Sequence, residues 1–260
     1  MAKKKVEGVC HICGEFGVLT FEHIPPEAAF NDRRVRKPEF KDYVDKGPDY
    51  FPPQARIEQR GAGDYTLCGY CNNSTGSWYV PSYVDMVYQA ANLLHTGKGV
   101  LSLYYPFRVF PLRFIKQVIA MFCSANNPGF IGKNPELRKF LLNKETMYID
   151  PRINIYAYLT TSTLSRQSGI TSAITDGRIK LFSEISFAPF GFIMTLDSFP
   201  PDDRLVDISY FARYEFNYFD IFYLKLPILP VNYYMPGDFR TRDEIMNAYK
   251  ENTAQFGELV

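Results

Sequence analysis

No stretch of these 260 residues approaches the roughly 20 consecutive apolar residues that a membrane helix needs. The longest apolar helical candidate, residues 112–122, is interrupted by Arg113, Lys116 and Gln117. The N-terminus is charged and no apolar segment follows it, so no secretory leader is expected and a cytoplasmic location is. Net charge is almost absent too: 29 Lys and Arg against 28 Asp and Glu leave +1. Bulk charge therefore gives no support to a nucleic-acid partner, and support has to come from local clusters. No glycine-rich phosphate loop with Lys-Ser/Thr occurs, and no nucleophile motif combining Ser, His and Asp. Internal repeats and low-complexity runs are lacking as well.

Aromatic residues are plentiful, with 19 Tyr and 22 Phe, most of them after residue 100. That half is expected to have an aromatic-rich core containing a sheet. The first hundred residues are rich in Gly and Pro and cannot build a conventional core alone, so a metal would help to hold them. Helical character is expected across residues 76–95 after Pro81, with Val84, Val87, Tyr88, Ala91 and Leu94 on one stripe. The break Thr96-Gly97-Lys98-Gly99 suggests two domains, residues 1–98 and 99–260.

In the second domain, Pro111 suits a first helical position, and Leu112, Ile115, Ile119 and Phe122 form an apolar face. A further helix is expected over residues 135–142. Ile153, Ile155, Ala157 and Leu159 alternate as in a strand, and Asp176-Gly177 between two apolar runs signals a hairpin. Residues 184–196 and 216–226 also read as strands, and residues 243–254 as a closing helix. The fold class is α+β with an antiparallel sheet.

Cysteine usage is the most specific signal. Four of the five cysteines form Cys10-His11-Ile12-Cys13 and Cys68-Gly69-Tyr70-Cys71. Two residues between thiolates let both face one ion from a tight knuckle, and two knuckles supply the tetrahedron of soft ligands that suits Zn²⁺. In a reducing compartment the pattern points to metal rather than to disulfides. His11 reads as a surface residue beside a site already closed by four thiolates. Cys123, on an apolar helix, reads as a buried thiol, and His95 as a helix-terminal residue.

Between the knuckles stands Glu22-His23-Ile24-Pro25, and Asn72-Asn73 directly follows the second one. Over residues 8–80 this resembles the HNH endonuclease family, in its variants with two Cys-x-x-Cys pairs framing the active site. The resemblance implies a zinc-held treble-clef, or ββα-metal, module. It implies His23 as general base, with Glu22 and Asn72 presenting oxygens to a catalytic Mg²⁺ or Mn²⁺ and Asn73 as the fallback ligand. These residue types suit phosphodiester hydrolysis. Neutral imidazole takes a proton from water near pH 7, and a divalent cation offsets charge on the phosphate and the departing oxygen. The sequence departs from the family in two places. A middle Asn that tethers the base-bearing loop is replaced by residues 61–67, where Asp64 is the candidate substitute. The segment from His23 to Cys68 is also long, and it carries the basic cluster Arg33, Arg34, Arg36, Lys37 and Lys41.

The expected activity is cleavage of nucleic acid, with DNA the expected substrate and Arg33, Arg34, Arg36 and Lys37 the candidate phosphate contacts. Lys3, Lys4 and Lys5 are a second basic candidate. The alternatives are a zinc-dependent module that binds nucleic acid without cutting it, and a protein-interaction adaptor. Residues 99–260 are candidates for homo-oligomer formation or for a regulatory partner. A small nuclease joined to an unfamiliar domain also suggests, by analogy of architecture alone, a bacterial defence effector.

Overall fold

The computed structural model describes residues 5–38, 55–97, 102–175 and 177–256. The side chain of Lys37, together with Lys3, Lys4, Lys41, Asp176, Lys98 and Gly99, lies outside the described residues.

Strands β1 (Val6–Val9) and β2 (Phe16–His23) form an antiparallel hairpin whose turn holds Cys10 and Cys13. The chain then forms a separate antiparallel arm, β3 (Val35–Pro38) and β4 (Ala55–Glu58). It returns as β5 (Gly63–Cys68), which pairs antiparallel with β2 and gives the order β1-β2-β5. β5 runs directly into the long helix α1 (Gly69–Thr96).

That helix starts earlier than residues 76–95 predict, and Pro81 lies inside it. Residues three apart on a helix share a face, so the first turn of α1 serves as the second cysteine knuckle. The buried stripe differs as well: it runs through Tyr79, Tyr83, Met86, Val87 and Ala90. Tyr88 is exposed, with its ring 4.9 Å from that of Phe30. The face is set by what packs on the helix, and two buried tyrosines carry the part of it that an aliphatic stripe does not mark.

Helix α2 (Pro111–Ala125) begins at Pro111 as predicted. Leu112, Ile115, Ile119 and Phe122 are buried, and so are Phe114, Val118 and Met121 on the other sides. Such a helix is central rather than amphipathic. Lys116 is fully buried within it and donates to the carbonyls of Asn143 at 2.8 Å and Lys144 at 3.0 Å. Short helices α3 (Gly129–Lys133) and α4 (Pro135–Leu142) follow.

Strand β6 (Ser102–Val109) precedes α2. The larger sheet contains β7 (Ile153–Leu159), β8 (Arg166–Gln167), β9 (Thr171–Thr175), β10 (Arg178–Phe187), β11 (Phe190–Leu196) and β12 (Val206–Asp207). Its order is β12-β7-β11-β10-β8, and β9 takes the adjoining stretch of the same β10 edge. Residues 184–196 are therefore two strands of a hairpin, not one. Pro189 cannot donate to a ladder, and the chain turns there. The hairpin predicted around residue 177 is present as β9 and β10. Strand β13 (Asp220–Pro227) begins four residues later than expected and pairs with β6. Helix α5 (Arg242–Phe256) comes last.

Every ladder between the described strands is antiparallel, so the fold is mixed α+β with antiparallel sheets. One apolar core contains Cys10, Leu67 and Met86 together with Phe114, Phe192 and Leu224. The Tyr83 ring stacks on Phe114 with centroids 5.7 Å apart, tying α1 to α2. No helix among the described residues is long and apolar enough to cross a membrane.

Candidate metal centre and strand-end site

Cys10, Cys13, Cys68 and Cys71 converge, with all four sulfurs within 4.8 Å of one another. Cys13 Sγ lies 3.9 Å from Cys68 Sγ. A tetrahedral zinc with bonds of about 2.3 Å places its sulfurs roughly 3.8 Å apart, so the four cysteines are spaced to hold a zinc ion. Three of the four are buried. The titration pattern fits the same need. The Cys71 thiol holds Cys10 down at about 4, burial raises Cys13, and the contact with Cys10 followed by burial drives Cys71 far upward. Four thiolates this close cannot all ionise unless a cation compensates them. The knuckle is braced by backbone bonds: Cys10 N–H donates to the Glu15 carbonyl and His11 N–H to the Thr66 carbonyl, both at 2.9 Å. Thr66 is the extra residue where the β2–β5 register shifts, which turns its carbonyl toward the knuckle. Cys123 stands apart, fully buried, and burial pushes its thiol up to about 12.

Glu22 and His23 are the last two residues of β2. Alternation along the strand sends them to opposite sides. His23 shares its side with Phe21, whose ring meets the imidazole edge-on at 5.0 Å. The Phe21 ring is further packed by Tyr65, with centroids 5.5 Å apart, and by the Arg60 guanidinium at 4.6 Å. His23 Nε2 lies 2.7 Å from the Arg60 carbonyl. A carbonyl oxygen only accepts, so Nε2 is the donor in this contact and Nδ1 is the nitrogen not used by it.

Glu22 shares the other side of β2 with Thr20, and Asn72 reaches that side from the first turn of α1. Asn72 Nδ2 donates to Thr20 Oγ1 at 2.9 Å and to the Phe21 carbonyl at 3.3 Å. Desolvation raises the Glu22 carboxyl to about 7. Asn73 is exposed one position further around the helix.

No family model, no curated protein and no solved structure matches the chain.

Asp64 does not tether the His23 loop. Its carboxylate accepts the N–H of its neighbour Tyr65 at 2.8 Å. The tether is Asn31, a residue that no local motif marks. Asn31 is fully buried, donates to the Pro25 carbonyl at 2.6 Å and the Ala62 carbonyl at 2.7 Å, and accepts the Ala62 N–H at 2.7 Å. Gly61 has φ +86°, and a β-carbon there would lie 2.1 Å from the Asn31 carbonyl oxygen. A β-carbon on Gly63 would lie 2.2 Å from the Glu22 carbonyl oxygen. The sequence signal consists of Gly61 and Gly63 facing an Asn eight residues after His23, but the two halves lie about 30 residues apart.

The basic residues sit on the arm. Arg33, Arg34 and Arg36 are on the segment that leads into it and along β3. Arg33 and Arg34 are exposed, and Arg33 lies 4.0 Å from Asp32. His95 is exposed in the last turn of α1, remote in sequence from the knuckles. A cavity of about 490 Å³ is lined by Ala62 and Gly63 together with Ser168, Thr171, Phe182 and Met235.

Proposed function

We propose that the chain is a metal-dependent endonuclease of the HNH type that hydrolyses phosphodiester bonds, with DNA as substrate. The observation that carries this reading is the meeting of β2 and α1. A cysteine knuckle fixes each element, and Asn72 clamps the strand that ends in Glu22-His23. In this reading residues 5–97 form a treble-clef module around a structural Zn²⁺.

His23 is the general base. The Arg60 carbonyl orients its ring and leaves Nδ1 to take a proton from the attacking water. Glu22 and Asn72, both on the Thr20 side of β2, would offer the hard oxygens that Mg²⁺ or Mn²⁺ prefers. When bound, such an ion supplies positive charge opposite the scissile phosphate and the departing oxygen. Asn31 holds the turn after His23, so the base does not drift from its position. Arg33, Arg34 and Arg36 are the side chains that would meet the phosphate backbone.

A second reading, a zinc-held module that binds nucleic acid without cutting it, is favoured by one detail: the Asn72 amide already has a structural role on β2. The two readings separate on Glu22→Ala. Cleavage of supercoiled plasmid by the wild type that Glu22→Ala abolishes, at unchanged zinc content, supports the enzyme. Binding without cleavage by the wild type, with Mg²⁺, Mn²⁺ and either DNA or RNA, supports the module.

A further inference from the structure

The two-stranded sheet formed by β6 and β13 buries one face and leaves the other open. Phe107, Val109, Leu224 and Leu226 point inward. Tyr104, Pro106 and Arg108 on β6 and Ile221, Tyr223 and Lys225 on β13 point outward, all of them exposed. Tyr104 and Tyr223 are 70% and 69% exposed, so two large rings stand open on one sheet face.

The register fixes their arrangement. Tyr104 stands opposite Lys225, Pro106 opposite Tyr223, and Arg108 opposite Ile221. The two tyrosines are therefore diagonal neighbours, and a cation lies toward each end of the face. Lys225 Nζ sits 5.8 Å from the centre of the Tyr104 ring. Asp220, at the start of β13, is already engaged: it accepts the Tyr218 hydroxyl at 2.6 Å and the Ile221 N–H at 2.8 Å. The backbone beneath Arg108 is pinned to α1, because Gln89 Nε2 donates to the Arg108 carbonyl at 2.7 Å and Gln89 Oε1 accepts the Arg108 N–H at 2.9 Å. The ladder register and the Gln89 bonds set where along the sheet these rings and cations project.

We infer that this face binds single-stranded nucleic acid, with bases stacked on Tyr104 and Tyr223 and phosphates against Arg108 and Lys225. Flat π-faces on a firm sheet suit unpaired bases, which every sequence presents. Duplex DNA hides those faces in its base stack. The two outward cations, Arg108 and Lys225, beside two open rings favour a polyanion that carries flat bases over an apolar peptide. The surface lies on the β6–β13 sheet and not at the strand-end site, so its binding stands whether or not His23 cleaves.

The test uses full-length His23→Ala protein with its zinc content verified, so that cleavage does not confuse binding. Fluorescence anisotropy with a labelled oligonucleotide of mixed sequence is read for the single strand and for its duplex. Tyr104→Ala and Tyr223→Ala are each expected to weaken single-strand binding by about tenfold, with duplex binding unchanged, while Tyr→Phe at both positions preserves it. Replacing Arg108 and Lys225 with Ala is expected to reduce the slope of log affinity against log salt by about 1.4, roughly 0.7 for each phosphate that a cation no longer neutralises. Unchanged single-strand affinity in the double Tyr→Ala variant, its thermal melt intact, overturns the proposal. So does a wild type that binds no single strand but loses a dimer, by light scattering, when both tyrosines become Ala; the face is then an interface between copies of the chain.

Discussion

Asn31 and Ala62 satisfy each other twice: the Ala62 N–H donates to Asn31 Oδ1 and Asn31 Nδ2 donates back to the Ala62 carbonyl, both at 2.7 Å. The same amide also reaches the Pro25 carbonyl, so one buried side chain joins the turn after His23 to the segment that leads into β5. The Ile24 N–H meets the same Ala62 carbonyl at 2.9 Å, and His23 itself is held by the Arg60 carbonyl.

Asn31→Ala is expected to leave the Ala62 N–H and the Pro25 carbonyl short of partners, while the Ala62 carbonyl keeps the Ile24 N–H. At about 1–3 kcal/mol for each unsatisfied group, and with partial relaxation, the loss is about 3 kcal/mol. Urea unfolding of the two proteins measures it. A loss under about 1 kcal/mol would mean that the turn is held by something else.

Removing the metal should act on the first hundred residues before the rest. Cys71→Ser, or a strong zinc chelator, is expected to unfold the β1-β2-β5 sheet and the start of α1, because folding free energy and metal binding are coupled in such modules. Zinc content, thermal melting and hydrogen exchange of residues 5–75 report it. Full protection of that segment after zinc loss would contradict the role assigned to the four cysteines.

Glu184 and Arg166 form a fully buried ion pair with Nη1–O distances of 3.1 Å. Glu184 also accepts the Tyr158 hydroxyl and the Gly237 N–H at 2.7 Å, and Arg166 donates to the carbonyls of Tyr233 and Asp238. The pair fastens residues 233–238 to the sheet. Glu184→Leu leaves a buried guanidinium unpaired and is expected to destabilise by about 3–5 kcal/mol. Denaturant unfolding measures the total, and faster proteolysis within residues 233–238 shows where it acts. A neutral effect would place the attachment in the apolar contacts of Phe239 instead.

Lys116 supplies a pH dependence. Burial pushes its ammonium down to about 7, while an unfolded lysine titrates at about 10.4. Between those values the unfolded chain holds the extra proton, so stability rises with pH; below 7 both states are charged and the full penalty remains. The gain across the window is up to about 5 kcal/mol, and contacts of Nζ with two carbonyls and the Phe140 ring reduce it. Urea unfolding of wild type and Lys116→Met at about pH 7 and about pH 10 isolates the effect, since other titrations cancel in the difference. The wild type should gain on the variant as pH rises; parallel values at both would show that Lys116 stays charged in the fold.

The parts of the fold legible in the sequence are those with local chemistry. The two Cys-x-x-Cys pairs converge because each is confined to one turn, and Pro111 starts α2 because its ring suits a first turn. The hairpin at residue 177 follows from its glycine. What is illegible depends on distant partners. The true buried face of α1 is chosen by α2 and the sheet, and the tether Asn31 acts on a residue 31 positions away. The break at Pro189 is hidden because both flanking strands are apolar enough to read as one.

The role of His23 is tested most directly by nicking of supercoiled plasmid by wild type and His23→Ala in Mg²⁺ or Mn²⁺, with zinc content and melting temperature measured on both. Metal-dependent nicking that falls by about 10²–10⁴-fold in the variant, with zinc and melting unchanged, is the expected result. Equal nicking by the two proteins would contradict the assignment of His23 as the general base.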